Sequence, residues 1–139
     1  QDYEINGMTQ QRPKVISQYL VENMIKAGAE KLIFILGEDK YDVMRYYSDG
    51  GRFQVDAAYL FQEKLHGMPF ALNLARSWVR EDIVLFGMPD TIMEPRDVFA
   101  RLLAAQQEAA ADLVLGLFLT KNPSSSPPPI YRLAWGSGT

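Results

Sequence analysis

The stretch that decides the fold is Ile83-Val84-Leu85-Phe86-Gly87-Met88-Pro89-Asp90. Its first five residues carry no polar side chain, and Gly87 and Pro89 end the apolar run. A short apolar run bounded by turn residues is typical of a strand covered on both faces, as in a parallel sheet. In an open α/β sheet, ligands bind beyond the carboxyl ends of the strands, so we expect Asp90 to project where chemistry takes place. Alternatively, Asp90 only closes a turn or caps the helix that begins near Pro95.

Similar apolar segments recur along the chain and alternate with helical patterns. We predict strands at 32–36, 55–61, 83–87 and 113–120, and helices at 18–27, 39–47, 70–79 and 95–111. Gly28 suits the end of the first helix, Asp39 the cap of the second and Pro69 the first turn of the third. Residues 1–17 have little periodicity, and the turn-forming segment 7–14 within them is predicted to be loop. The alternation predicts right-handed crossovers, a largely parallel sheet and a three-layer α/β sandwich.

Length and composition indicate one domain and exclude several classes of function. The 139 residues are 47% hydrophobic, which suits one α/β domain at 1–121, followed by a Pro/Ser-rich linker at 122–139 with the composition of an edge strand at 130–135. The formal charge of −3 argues against general binding to nucleic acid or to anionic membranes. The chain has no cysteine, which excludes disulfides and thiolate chemistry and suits the cytoplasm, and no apolar run is as long as a membrane span. The oligomeric state stays open, and a homo-oligomer is compatible with the sequence.

The chemistry that the sequence can support is mainly that of carboxylates. The single histidine, His66, rules out a paired-histidine metal motif, and no P-loop, dinucleotide glycine fingerprint or HExxH motif is present. Magnesium takes oxygen ligands, usually one or two carboxylates together with substrate phosphates and water, and Asp90 meets that demand. Lys14 could neutralise a phosphate as a point charge; alternatively it is a solvated surface lysine.

Four motifs, in this order and spacing, resemble the sugar-phosphate nucleotidyltransferases, in particular the glucose-1-phosphate thymidylyltransferase-like group. They are Arg12-Pro13-Lys14-Val15, the helix from Tyr19 to Gly28, the Gln-x-x-x-x-Gly-x-x-x-Ala pattern from Gln62 to Ala71, and Phe86-Gly87-Met88-Pro89-Asp90-Thr91. The match covers most of 12–120.

The resemblance implies a Rossmann-like fold that joins a nucleoside triphosphate and a sugar 1-phosphate, with Mg²⁺ bridging the phosphates. It implies that Asp90 binds the metal, that Lys14 contacts phosphate, and that Gln62 with the backbone around Gly67 and Met68 reads the base. Gly87 belongs to the same nucleotide-binding set. In-line transfer at phosphorus needs alignment and charge neutralisation more than a protein acid or base, so a single histidine is no obstacle.

The chain departs from the family pattern before Arg12, where members carry a strand and a Gly-rich, arginine-containing loop around the triphosphate. Either this loop has been deleted or the sequence omits residues that nucleotide orders, and we favour omission. The first hypothesis is therefore a magnesium-dependent enzyme that makes a nucleoside diphosphate sugar. The second is a non-catalytic nucleotide- or sugar-nucleotide-binding regulatory module of the same fold. The third is an α/β scaffold that binds only proteins.

Overall fold

A computed structural model of the protein describes residues 2–5, 8–11, 13–64 and 67–117. The elements in chain order are β1 (Asp2–Ile5), β2 (Met8–Gln11), α1 (Ile16–Lys26), β3 (Lys31–Leu36), α2 (Tyr41–Tyr47), a 3-10 helix (Gly51–Phe53), β4 (Asp56–Phe61), α3 (Met68–Val79) and α4 (Val98–Ala109). The α/β class is confirmed. Within the described part of the chain, none of the helices is long and apolar enough to cross a membrane.

The β3–α2–β4 unit shows the parallel pairing that the alternation predicts. β3 and β4 pair in parallel from Lys31 opposite Asp56 to Leu36 opposite Phe61, so their carboxyl ends lie at one edge. The backbone N–H of Gln62 then donates to the carbonyl of Leu36 at 2.8 Å and extends the ladder by one bond. The loops that follow both strands therefore leave the sheet at the same edge.

Helix α1 is the element around which both hydrophobic clusters form. One cluster joins its Val21 to β3, α2 and the residues before β4: Val21, Leu32, Tyr47 and Val55. The other joins α1 to α4 through Leu20, Met24 and Phe99, with Leu85 packed against it. The apolar residues of α1 recur at helical spacing and cover two sides of the helix, which explains why it is buried between two parts of the chain.

Three predictions about local structure are wrong. The chain before Pro13 is not all loop, because β1 and β2 form an antiparallel hairpin with Asp2 opposite Gln11. Asp39 does not cap α2, whose N-cap is Lys40 without a side-chain hydrogen bond. Helix α4 begins at Val98, three residues later than predicted, with Asp97 as its N-cap, so Asp90 does not cap it.

The predicted strands at 83–87 and 113–120 are not strands where the structure describes them. Residues 83–88 and 113–117 make no ladder, and 118–120 lie outside the described ranges. A strand needs a hydrogen-bonded neighbour, and among the described residues β3 pairs only with β4. Most of the apolar side chains that predicted two covered faces remain exposed, Ile83 by 61% and Leu117 by 74%, although Leu85 is half-buried. The predicted linker and edge strand at 122–139 also lie outside the described ranges.

Candidate active site

Asp90 lies in an exposed turn that is fixed by the packing of the residues before it. Gly87 presses against α1 so closely that a Cβ atom on it would lie 2.7 Å from Cδ1 of Leu20. The backbone N–H of Thr91 then donates to the carbonyl of Met88 at 3.1 Å, which closes the turn. The hydroxyl of Thr91 donates to Oδ1 of Asp90 at 3.4 Å, a long hydrogen bond. Most of the lone pairs of this carboxylate thus face solvent, as a ligand for a hard cation requires.

Lys14 is held at the start of α1 by two contacts. Its ammonium lies 2.5 Å from Oε2 of Glu22 and 4.0 Å from the centre of the Tyr19 ring. Tyr19 and Glu22 also line a narrow crevice, which α1 forms with the segment after Asp90. Its lining is Tyr19, Glu22, Asn23, Ile92, Met93, Glu94 and Arg96. The structure thus brings the partners of Lys14 against the segment that follows Asp90.

Gln62, Gly67 and Met68 occupy a second region, at the carboxyl edge of the parallel pair and the start of α3. Gly67 is the N-cap of α3 with φ of +88°, a conformation that favours glycine. Met68 is exposed and begins the helix, while Gln62 is half-buried. The amino end of a helix favours negative charge, which suits a nucleotide. Within the described ranges, no hydrogen bond or ion pair joins these residues to Lys14 or Asp90, and 65–66, including His66, lie outside those ranges.

Behind Lys14, a chain of polar contacts connects α1 to α2. Nε2 of Gln18 donates to Oε1 of Glu22 at 2.7 Å, and the hydroxyl of Tyr46 donates to Oε1 of Gln18. Gln18 is completely buried. Burial by itself raises the pKa of Glu22, but hydrogen bonds from Lys14 and Gln18 and the nearby lysine charges outweigh it, so that pKa lies below its ordinary value. Glu22 is therefore held as a carboxylate.

The comparisons with known proteins settle the family. The sequence model described as nucleotidyl transferase matches residues 8–127. The chain belongs to the nucleotidyl transferase family. No match came from the curated proteins or from the solved structures.

Nucleotidyl transferases commonly use Mg²⁺, and the residues described here fit a site with few protein ligands. In the described part of this nucleotidyl transferase, no group of three or more His, Cys, Asp or Glu side chains could hold a metal ion. Asp90, three residues after the 83–87 segment, offers an exposed carboxylate. Such a site fits a cation that takes the rest of its ligands from phosphates and water.

Sequence reasoning about this nucleotidyl transferase singled out Lys14 and Asp90 but missed the polar contacts behind Lys14. Gln18 and Glu22 are four residues apart on a predicted helix, a spacing that places them side by side, so their contact had a sequence signal. Tyr46 had none, because α2 meets α1 only in the folded chain. Helix α1 also begins two residues earlier than predicted, at Ile16.

Tyr47 makes the stability of this nucleotidyl transferase sensitive to alkaline pH. Its side chain is 2% exposed, its hydroxyl lies 2.7 Å from Oγ of Ser17, and burial raises its pKa from 10.0 to about 12, with the Ser17 contact offsetting part of the rise. Between these two values the folded protein binds more protons than the unfolded chain. The free energy of unfolding is therefore expected to fall by about 2–3 kcal/mol as pH rises through that window.

Tyr47→Phe should remove most of this alkaline loss, measured as urea unfolding between pH 10 and 12. At neutral pH the variant should lose about 1 kcal/mol because the contact with Ser17 is gone. A small slope should remain, because burial also raises the pKa of Tyr59. Tyr41→Phe is the control, since Tyr41 is 63% exposed. Equal pH slopes in the Tyr47→Phe variant and the wild type would contradict the assignment.

Proposed function

We propose that the protein condenses a nucleoside triphosphate with a sugar 1-phosphate to give a nucleoside diphosphate sugar and pyrophosphate. A phosphate oxygen of the sugar attacks the α-phosphorus, the bond from that phosphorus to the bridging oxygen breaks, and pyrophosphate leaves. The observation that carries the proposal is the family match over 8–127 together with an exposed Asp90 on a turn packed against α1. We also propose that the protein belongs to the glucose-1-phosphate thymidylyltransferase-like group and that its second substrate is a sugar 1-phosphate.

Each predicted site residue has a role that its position supports. Asp90 would hold Mg²⁺, which when bound supplies charge neutralisation on the phosphates. Lys14 would place a fixed positive charge against the phosphates. Phosphoryl transfer is catalysed mainly by such charge neutralisation and by alignment of the reactants. Gln62 and the backbone at Gly67 and Met68 would bind the base, since a side-chain amide and the backbone N–H groups at the amino end of a helix complement its hydrogen-bonding edge.

We also propose a complete fold and a cellular location for the protein. The three-layer sandwich with a mostly parallel sheet is expected from the family match over 8–127 and from the parallel pairing of β3 with β4. A cytoplasmic location is expected because the proposed substrates are cytoplasmic metabolites. The Gly-rich loop around the triphosphate is expected in the complete gene.

The test is pyrophosphate release by the protein expressed from its complete gene, with each nucleoside triphosphate, a panel of sugar 1-phosphates and Mg²⁺. We expect pyrophosphate with at least one pair and none without the sugar phosphate or the metal. Binding of nucleotide with no pyrophosphate from any pair would favour the regulatory module instead. No calorimetric signal with any nucleotide would favour the protein-binding scaffold.

A further inference from the structure

We propose that Glu22 is a positioning residue that holds the Lys14 ammonium where it meets a substrate phosphate. The inference rests on the proposed function, because it takes the phosphate contact of Lys14 as given. It adds a role for Glu22, which lies in the motif helix from Tyr19 to Gly28 but has no site role assigned to it by the resemblance.

The position of the ammonium depends on Glu22 and on one aromatic ring. A free lysine side chain has four rotatable bonds and loses about 2 kcal/mol of rotamer entropy when it is fixed. The carboxylate at 2.5 Å and the Tyr19 ring at 4.0 Å confine the ammonium before any ligand arrives. The two charged side chains are only partly exposed, by 22% for Lys14 and 31% for Glu22, so solvent screens the pair less than it screens a surface pair. In protein kinases, a helix glutamate positions the phosphate-binding lysine in the same way.

Glu22 is itself fixed from behind, which separates this pair from an ordinary surface ion pair. One carboxylate oxygen accepts from the buried Gln18 amide and the other faces Lys14. The oxygen of the Gln18 amide accepts a hydrogen bond from the hydroxyl of Tyr46 on α2. The Tyr46 ring packs edge-on against Tyr47, with ring centres 5.0 Å apart, and its other neighbour is the Arg52 guanidinium at 4.7 Å. The contacts therefore run from the core between α1 and α2 out to the ammonium.

The two residues that hold the ammonium also face the segment that follows Asp90. Glu22 and Tyr19 line the crevice whose other wall is the segment containing Ile92 and Arg96. That segment starts two residues after Asp90. Glu22 therefore contacts Lys14 and also lines the crevice beside the segment after Asp90.

The two possible roles of Glu22, positioning Lys14 or only adding negative charge, predict opposite effects on phosphate binding when Glu22 is removed. If Glu22 only adds a negative charge near a phosphate, its removal should tighten anion binding. If it positions Lys14, its removal should weaken binding. The ammonium would then be ordered only when the ligand binds, and that ordering costs binding free energy. The sign of the change therefore decides between the two roles.

The experiment is calorimetric titration of the complete protein with inorganic pyrophosphate and Mg²⁺. Glu22→Gln is expected to weaken binding roughly fivefold, and Lys14→Met about tenfold. Glu22→Asp keeps the charge but withdraws the carboxylate by one methylene, so it should also weaken binding. Glu108→Gln is the control, because it makes the same charge change at an exposed position of α4.

A double-mutant cycle shows whether Glu22 acts through Lys14. In the Lys14→Met background, Glu22→Gln should cause no further loss, whereas a loss through damage to the fold would persist. NMR of the Lys14 side chain without ligand should show it more mobile in Glu22→Gln, a readout independent of phosphate binding.

Tighter or unchanged binding in Glu22→Gln, with weaker binding in Lys14→Met, overturns the positioning role and leaves the proposed function standing. Losses that add in the double variant overturn the positioning role as well. Unchanged binding in Lys14→Met, or no binding by the wild type, overturns the phosphate role of Lys14 and the positioning role with it. The pyrophosphate-release assay then decides separately whether the proposed transfer occurs.

Discussion

Replacing Gly50 with alanine is expected to lower the free energy of unfolding by about 3–5 kcal/mol, the largest effect on stability that we predict for a single methyl group. Gly50 lies in the turn between α2 and β4 with φ of +88° and ψ of −9°. A Cβ atom there would lie 2.1 Å from the carbonyl oxygen of Val55 and 3.0 Å from the backbone nitrogen of Ala57. These are backbone atoms that cannot rotate away, so the turn itself has to move.

The turn at Gly50 has little freedom to move, because it is bonded to the elements on either side. Its N–H donates to the carbonyl of Tyr47 at 3.0 Å, and its own carbonyl accepts from Phe53 at 2.8 Å. The neighbouring Asp49 carbonyl accepts from Ala57 at 3.0 Å, which ties the turn to β4. A shift of the turn would therefore disturb both the end of α2 and the parallel pair.

Gly28→Ala is the matched control for Gly50→Ala. Gly28 also has a positive φ, +97°, but a Cβ atom there would meet nothing within 4 Å. This variant should lose only the strain of the left-handed region, about 1–2 kcal/mol. Urea and thermal unfolding of both variants measure the difference. Equal losses in the two variants would show that the contact with Val55 does not constrain the turn.

Asp90→Asn is expected to lower metal-dependent turnover by about 100-fold or more while leaving the fold intact. The amide has nearly the same shape but no charge, so it binds magnesium poorly. The free energy of unfolding should change by less than about 0.5 kcal/mol, because Asp90 is exposed and its contact with Thr91 is long. Turnover at saturating Mg²⁺, together with urea unfolding, measures both parts of the prediction.

Asp112→Asn controls for the loss of one exposed carboxylate. Asp112 follows α4 and precedes the apolar residues 113–117, whereas Asp90 follows the apolar residues 83–87. Because Asp112 precedes an apolar run instead of following one, its loss should leave turnover unchanged. Activity of Asp90→Asn equal to that of the wild type would refute the metal-ligand role of Asp90.

The elements that the sequence predicted correctly are those with a strong pattern within their own residues. The apolar spacing in α1, the continuous apolar run of β3 and Pro69 at the start of α3 all correspond to observed elements. The pairing of β1 with β2 was missed because β2, Met-Thr-Gln-Gln, has no alternating pattern, and each of these two strands depends on hydrogen bonds to the other. The 83–87 segment was predicted as a strand from composition alone, although a strand also needs a neighbour that composition does not supply.

In the candidate site too, features that depend on neighbouring residues were predicted, and contacts that depend on the fold were not. Asp90 could be proposed from its place after an apolar run, and the structure adds that Gly87 presses this run against Leu20. The pairing of Lys14 with Glu22 joins residues eight positions apart and was not predicted. The link from Gln18 to Tyr46 spans 28 positions and depends on how α1 and α2 pack. Contacts of this kind follow from the fold and not from the spacing of residues along one element.

The central claim is that the protein transfers a nucleotidyl group to a sugar 1-phosphate, and ³¹P NMR of the complete reaction tests it most directly. Triphosphate, sugar 1-phosphate and Mg²⁺ are mixed with the protein from the complete gene, and all phosphorus-containing products are followed together. The account predicts that pyrophosphate and a sugar diphosphate diester appear in equal amounts, at the expense of both substrates, and that with Asp90→Asn both appear more slowly by about 100-fold or more. Hydrolysis of the triphosphate with the sugar 1-phosphate left intact, or unchanged spectra with every substrate pair, would contradict it.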